Sequence, residues 1–178
     1  MAAFDVGDDL DQDLAYRLIR DSFVSLFWRR RVLQDALANL RGQDYEIVEI
    51  DASGRPSTLE LLDRFSTALS FPAYFGRNLN ALNDCLGDVA EGQYGSDLRR
   101  TGLVLVLHHF DDFVGDDPRD AQVVLDIVAD QCRLGALIGH RMMCLVQTDD
   151  TRHDLAPVGR SRLAWNPAEW LWSQRGLA

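Results

Sequence analysis

Five consecutive residues, His108-His109-Phe110-Asp111-Asp112, hold imidazoles and carboxylates close enough in sequence to suggest a divalent metal and hydrolytic chemistry. They follow the apolar run Leu103-Val104-Leu105-Val106-Leu107, at the kind of strand end where α/β folds place ligands. Successive residues of a strand point to opposite faces, so the run alone cannot converge on one ion, and no HExxH-like spacing supports it. It reads as a solvated strand end leading into a turn. Cys85 has no neighbouring base in the sequence to activate it, and the chain has neither a glycine-rich phosphate loop nor a GxSxG elbow. His140 and His153 read as isolated surface or loop residues. No catalytic residue, metal or cofactor is therefore expected. A second oxygen-rich set, Asn80, Asp84 and Asp88, repeats at i,i+4 on a helical pattern, and carboxylates fixed along one helix face can engage a cationic partner.

The charge balance points the same way. The 178 residues carry a formal charge of -10, and between residues 81 and 130 eleven acids stand against three bases, leaving -8. Such a surface repels phosphate backbones and anionic leaflets, which disfavours direct nucleic-acid or membrane binding, whereas it attracts a basic protein. Acidity that only keeps the protein soluble is the plainer alternative for the charge surplus taken alone. The first residues are acidic, with neither a basic start nor an apolar core, so no secretory signal is read and the protein is expected to stay in the cytoplasm. The longest apolar run, Phe23 to Trp28, is far short of the roughly 20 residues a membrane span needs. Cys85, Cys132 and Cys144 lack metal-type spacing and read as reduced, buried thiols.

The elements that must position these residues follow from periodicity and punctuation. A helix is expected from about Asp9 to Arg20, with Leu10, Leu14 and Leu18 at i,i+4, and another through Val32, Leu33, Ala36, Leu37 and Leu40 with Gly42 just past its end. Phe23 to Trp28 between them is a strand or a buried connector. Tyr45 to Asp51 is a strand, followed by the turn Ser53-Gly54-Arg55-Pro56 and then a capping box, Ser57 to Glu60, opening a helix that ends before Pro72. The loop Phe71 to Arg77, where Gly76 permits positive φ, leads to Asn78 as the N-cap of a helix to about Val89. Leu79, Leu82, Leu86 and Val89 face the core on that helix. Leu103 to Leu107 and Met142 to Val146 are strands. Between them Asp117-Pro118 starts a helix to about Arg133, with Gly135 beyond it. Near the end, Asn166, Pro167 and Glu169 suggest a short helix, and Trp165, Trp170 and Trp172 an anchor holding it to the domain or, alternatively, a partner site. One domain of this length is expected.

The segment Leu69 to Leu86, LSFPAYFGRNLNALNDCL, resembles the signature of the barstar family, intracellular inhibitors of barnase-type ribonucleases, in its proline-aromatic-glycine loop and the Asn-Leu, Ala-Leu and Asp-Cys-Leu that follow. The order of elements from Tyr45 to about Gln147 is similar to the family's whole domain. The resemblance implies an α/β fold with a small three-stranded parallel sheet flanked by helices. It would span 42–148, with a helical extension at 1–41 and a C-terminal extension with a short helix at 149–178. It also implies a basic ribonuclease-like partner whose active site is plugged, in a protein that is monomeric when free. Asp84 matches the family's phosphate-mimicking aspartate, Tyr74 an aromatic contact, Gly76 the loop glycine, and Asp130 falls where a supporting acid is found. Asn78, Asn80, Asn83 and Asp88 complete the expected binding set. Asn80 and Asn83 stand where the family has an aspartate and a tryptophan, which removes a charge and a ring typical of interface hot spots. A module of the same fold with a changed, non-nuclease partner is the alternative reading.

Overall fold

In the computed structural model, which describes residues 13–152 and 156–177, the run Leu103 to Leu107 is a strand with every side chain buried. Chain order is α1 (Leu14–Ile19), β1 (Val24–Phe27), α2 (Arg30–Gly42), β2 (Tyr45–Asp51), α3 (Thr58–Ala68), α4 (Leu79–Ala90), β3 (Gly102–His108), α5 (Phe110–Asp116), α6 (Pro118–Leu137), β4 (Arg141–Gln147) and β5 (Ala164–Trp165). A 3-10 turn follows at Trp172–Arg175. The strands form one sheet in the order β2-β3-β4-β1-β5, and every pairing is parallel.

Helices flank a parallel sheet as expected, but it has five strands and not three. The added ones are β1, which is the undecided Phe23 to Trp28 run, and β5. Val24 to Phe27 pair with Cys144 to Gln147, covering the edge that a sheet ending at β4 would leave open beside a buried strand. Strand alternation then builds two cores. Leu103, Leu105 and Leu107 join Met142, Cys144 and Val146 against Leu61, Leu82, Leu86 and Val128 of α3, α4 and α6. Val104, Val106, Met143 and Leu145 face Leu18, Leu33, Leu37 and Leu40 of α1 and α2.

Several boundaries differ from expectation for local reasons. Gly42 is the last residue of α2, and the chain turns at Asp44, with φ 62. α6 runs through Gly135, where a Cβ would come within 3.0 Å of the His140 carbonyl oxygen. The helix ends at Leu137 and the chain turns away at Gly139, with φ 90, as the His140 N–H donates to the Gly135 carbonyl at 2.8 Å. His140 is buried, with Nδ1 3.1 Å from the Ala90 carbonyl oxygen, and is not the surface residue expected. α5 replaces the expected turn after β3, because Phe110 and Phe113 at i,i+3 are both fully buried.

The tail forms no α-helix at 166–172, and its tryptophans do not all anchor it. Trp170 and Trp172 are exposed and Trp165 half-buried. Glu169 turns into the core instead, accepting from the Trp28 and Arg29 N–H groups at 2.9 Å each and from Arg29 Nε at 3.0 Å, which satisfies donors at the start of α2. Arg175 donates to the Glu169 carbonyl at 2.6 Å and lies 4.6 Å over the Trp165 ring. The part of the first expected helix before Asp13, and His153, fall outside the described residues.

Candidate functional site

α4 is held from beneath by Leu82, Cys85, Leu86 and Val89 and is capped by Asn78, whose Oδ1 accepts from the Ala81 N–H at 2.9 Å. The Asn78 amide also donates to the Gly76 carbonyl at 3.1 Å, so both ends of this side chain are used inside the loop. Gly76 is not at positive φ, contrary to the turn argument; Arg77, at φ 49, takes that role. A Cβ at Gly76 would sit 3.1 Å from Asn78 Nδ2, a tight contact that the capping side chain would have to give way to by a few tenths of an ångström. Arg77 is tied bidentately to Asp63 at 2.7 and 2.5 Å.

The loop sorts its aromatics by direction. Phe71 and Phe75 pack edge to face at 5.0 Å, and Phe71 also meets Tyr94 at 6.1 Å. Tyr74, between them, is 76% exposed. Anchored neighbours thus hold an outward ring beside the start of α4.

The oxygen-rich set divides in the same manner. Asp84 is exposed and, among the described residues, has no hydrogen-bond or ion-pair partner; Asn80, one turn earlier, is exposed and unpartnered as well. Asn83 instead accepts from Gln131 Nε2 of α6 at 2.8 Å. Asp88 accepts from the Tyr94 hydroxyl at 3.1 Å. Burial, with hydrogen bonding to Cys85 and Asp88, pushes that hydroxyl far above the ordinary tyrosine range, so it stays a donor. Asp130 pairs with Arg133 at 2.5 Å. Tyr74, Asn80 and Asp84 are therefore the members of the expected set with no hydrogen-bond or ion-pair partner among the described residues. Gly76, Asn78, Asn83, Asp88 and Asp130 are engaged within the fold.

Gln131 and Tyr94, which fix Asn83 and Asp88, did not stand out in the sequence. Gln131 lies three residues after Val128 and seven after Val124, on the apolar stripe of α6, and a polar residue there requires a partner. At the end of β3 the side chains of the His-His-Phe-Asp-Asp run diverge. His108 pairs with Glu49 at 2.8 Å and His109 with Asp51 at 2.9 Å, while Asp111 accepts from the Asp149 N–H and Asp112 from the Gly54 N–H. Among the described residues no helix is long and apolar enough to cross a membrane.

Residues 45–147, well over half the chain, match the family model described as Barstar (barnase inhibitor). No curated protein matches the chain.

Proposed function

The chain belongs to the barstar family, and from that premise we propose that it binds a basic, barnase-type ribonuclease one to one and occludes its active site in the cytoplasm, as an immunity protein rather than an enzyme. The observation that carries this reading is Asp84: an exposed carboxylate, unpartnered among the described residues, on a helix fixed by five buried residues. A ribonuclease site is a cationic cleft shaped for a phosphate, and a carboxylate carried on a packed helix can take the phosphate's place with only its own short side chain left to order. Tyr74 supplies an exposed amphipathic ring in the loop that leads into the same helix, and Asn80 a neutral hydrogen-bonding group. The acidic surface steers the two proteins together.

The test is a titration of barnase with the purified chain, reading RNA cleavage against molar ratio. The expected endpoint is one to one, with Asp84→Ala the most damaging single change to binding. Equal inhibition by the parent chain and Asp84→Ala would refute the role given to that carboxylate.

One observation favours a second reading, an interaction module with a non-nuclease partner. Asn83, where a ring is expected, is turned to Gln131 and adds little area to a binding face. Recovery of a stoichiometric partner without ribonuclease activity, by a chain that leaves barnase active, would support it.

A further inference from the structure

A cavity of about 570 Å3 opens at the β5 edge of the sheet, between α1 and the tail. Its volume falls in the range of small-molecule sites. Leu18, Trp165, Pro167, Trp170 and Leu171 wall it as an aromatic and aliphatic slot. Arg175 lies 4.6 Å over the Trp165 ring and donates to the Glu169 and Trp170 carbonyls, so the tail side of the slot is held in shape by the chain itself. Trp170 and Leu171 are each more than half exposed.

The polar side chains that line the cavity divide into engaged and free groups. Arg20 pairs with Asp21 at 3.2 Å, and Ser25 donates its hydroxyl proton to the Leu18 carbonyl at 3.1 Å. Gln174 accepts from the Leu171 N–H at 2.8 Å through Oε1. The Arg17 guanidinium and the Gln174 amide nitrogen have no partner among the described residues. Both are donors only, which excludes a cationic occupant and calls for an acceptor. The surroundings admit an anion, since residues 13–43 and 156–177 carry nine arginines against four acids in a chain whose total is -10. One free cation beside a preformed aromatic slot suits a single negative charge on a flat apolar body.

We propose that this cavity is a ligand site for a small aromatic carboxylate, its ring in the tryptophan slot and its charge paired with Arg17. None of the lining residues belongs to α4 or to the loop before it, so the inference stands apart from the function proposed above.

The experiment titrates phenylacetate into the isotope-labelled chain and follows the tryptophan indole N–H signals by NMR. Trp165 and Trp170 shift saturably, with a Kd of a few millimolar or tighter, while Trp28, outside the cavity, stays in place. Phenylacetamide, similar in shape but uncharged, binds about fivefold more weakly than the acid. Arg17→Gln weakens the acid by the same factor and leaves the amide unchanged. Arg17 is exposed, so the thermal midpoint of Arg17→Gln holds. Trp170→Ala, which opens the slot at an exposed position, is the second variant and weakens both ligands. Absence of saturation, an equal shift at Trp28, equal affinity for acid and amide, or parent-like binding by the folded variants each overturns the proposal. No readout involves barnase, so the inhibitor reading stands or falls separately.

Discussion

Gln131 on α6 reaches across to α4 and donates to Asn83 at 2.8 Å, fixing in the fold a residue that sequence alone assigns to the binding face. Asn83→Ala leaves the half-buried Gln131 amide unpaired and costs about 1 kcal/mol of stability. Urea unfolding should report that loss, while affinity for barnase changes by less than about threefold, because Asn83 is not free to serve the partner.

Asp84→Asn should do the reverse. It keeps volume and removes charge at an exposed position, so stability stays within about 0.5 kcal/mol of the parent. Binding weakens by more than about tenfold. Stopped-flow association at rising ionic strength should slow for the parent and less so for the variant, since steering by opposite charge is screened by salt.

Glu169→Ala strips acceptors from the Trp28 and Arg29 N–H groups and from Asn166 Nδ2, all gathered on a carboxylate that is fully buried. A loss of about 3 kcal/mol is expected, with exchange protection falling first at the start of α2. Amide exchange detected by NMR tests the location as well as the size.

Acid should weaken the contact between β2 and β3 through Asp51. Burial opposes ionisation of this carboxyl, but hydrogen bonds from the Ser53 N–H, His109 and the Ser53 hydroxyl outweigh it and hold the pKa at about 2. A folded pKa below the unfolded value of 3.8 means the stabilisation is complete above about pH 4 and is lost as pH falls toward 2. His109→Ala should raise the Asp51 pKa in a carboxyl NMR titration; an unmoved value would deny the pairing.

Burial raises the pKa of the Cys132 and Cys144 thiols well above the ordinary range. Neither should react with iodoacetamide at neutral pH until the chain unfolds, and the labelling rate should track denaturant concentration.

The regular elements from Tyr45 to Gln147 were legible because their signals are local. Ser57 and Glu60 form the capping box that their spacing suggests, and Asn78 and Asp117 cap the helices they precede. Asp84 was legible too, since helical period separates it from Leu82 and Leu86. What was hidden depends on long-range contact. Phe23 to Trp28 became a strand only because β4 offers an open edge. Glu169 could not show in its own segment that it serves α2, from 140 positions away. The free and engaged members of the oxygen-rich set differ by whether Gln131, Tyr94 or Arg133 happens to lie opposite.

That 140-residue separation also sets a timetable for biosynthesis. On the ribosome β1 and α2 emerge early, yet β1 must wait for β4, and the start of α2 for Glu169. A nascent chain at that stage carries a strand segment whose pairing edge stays open until its own later residues arrive. Supply of folded protein is then paced by completion of the tail rather than by the speed with which α4 forms.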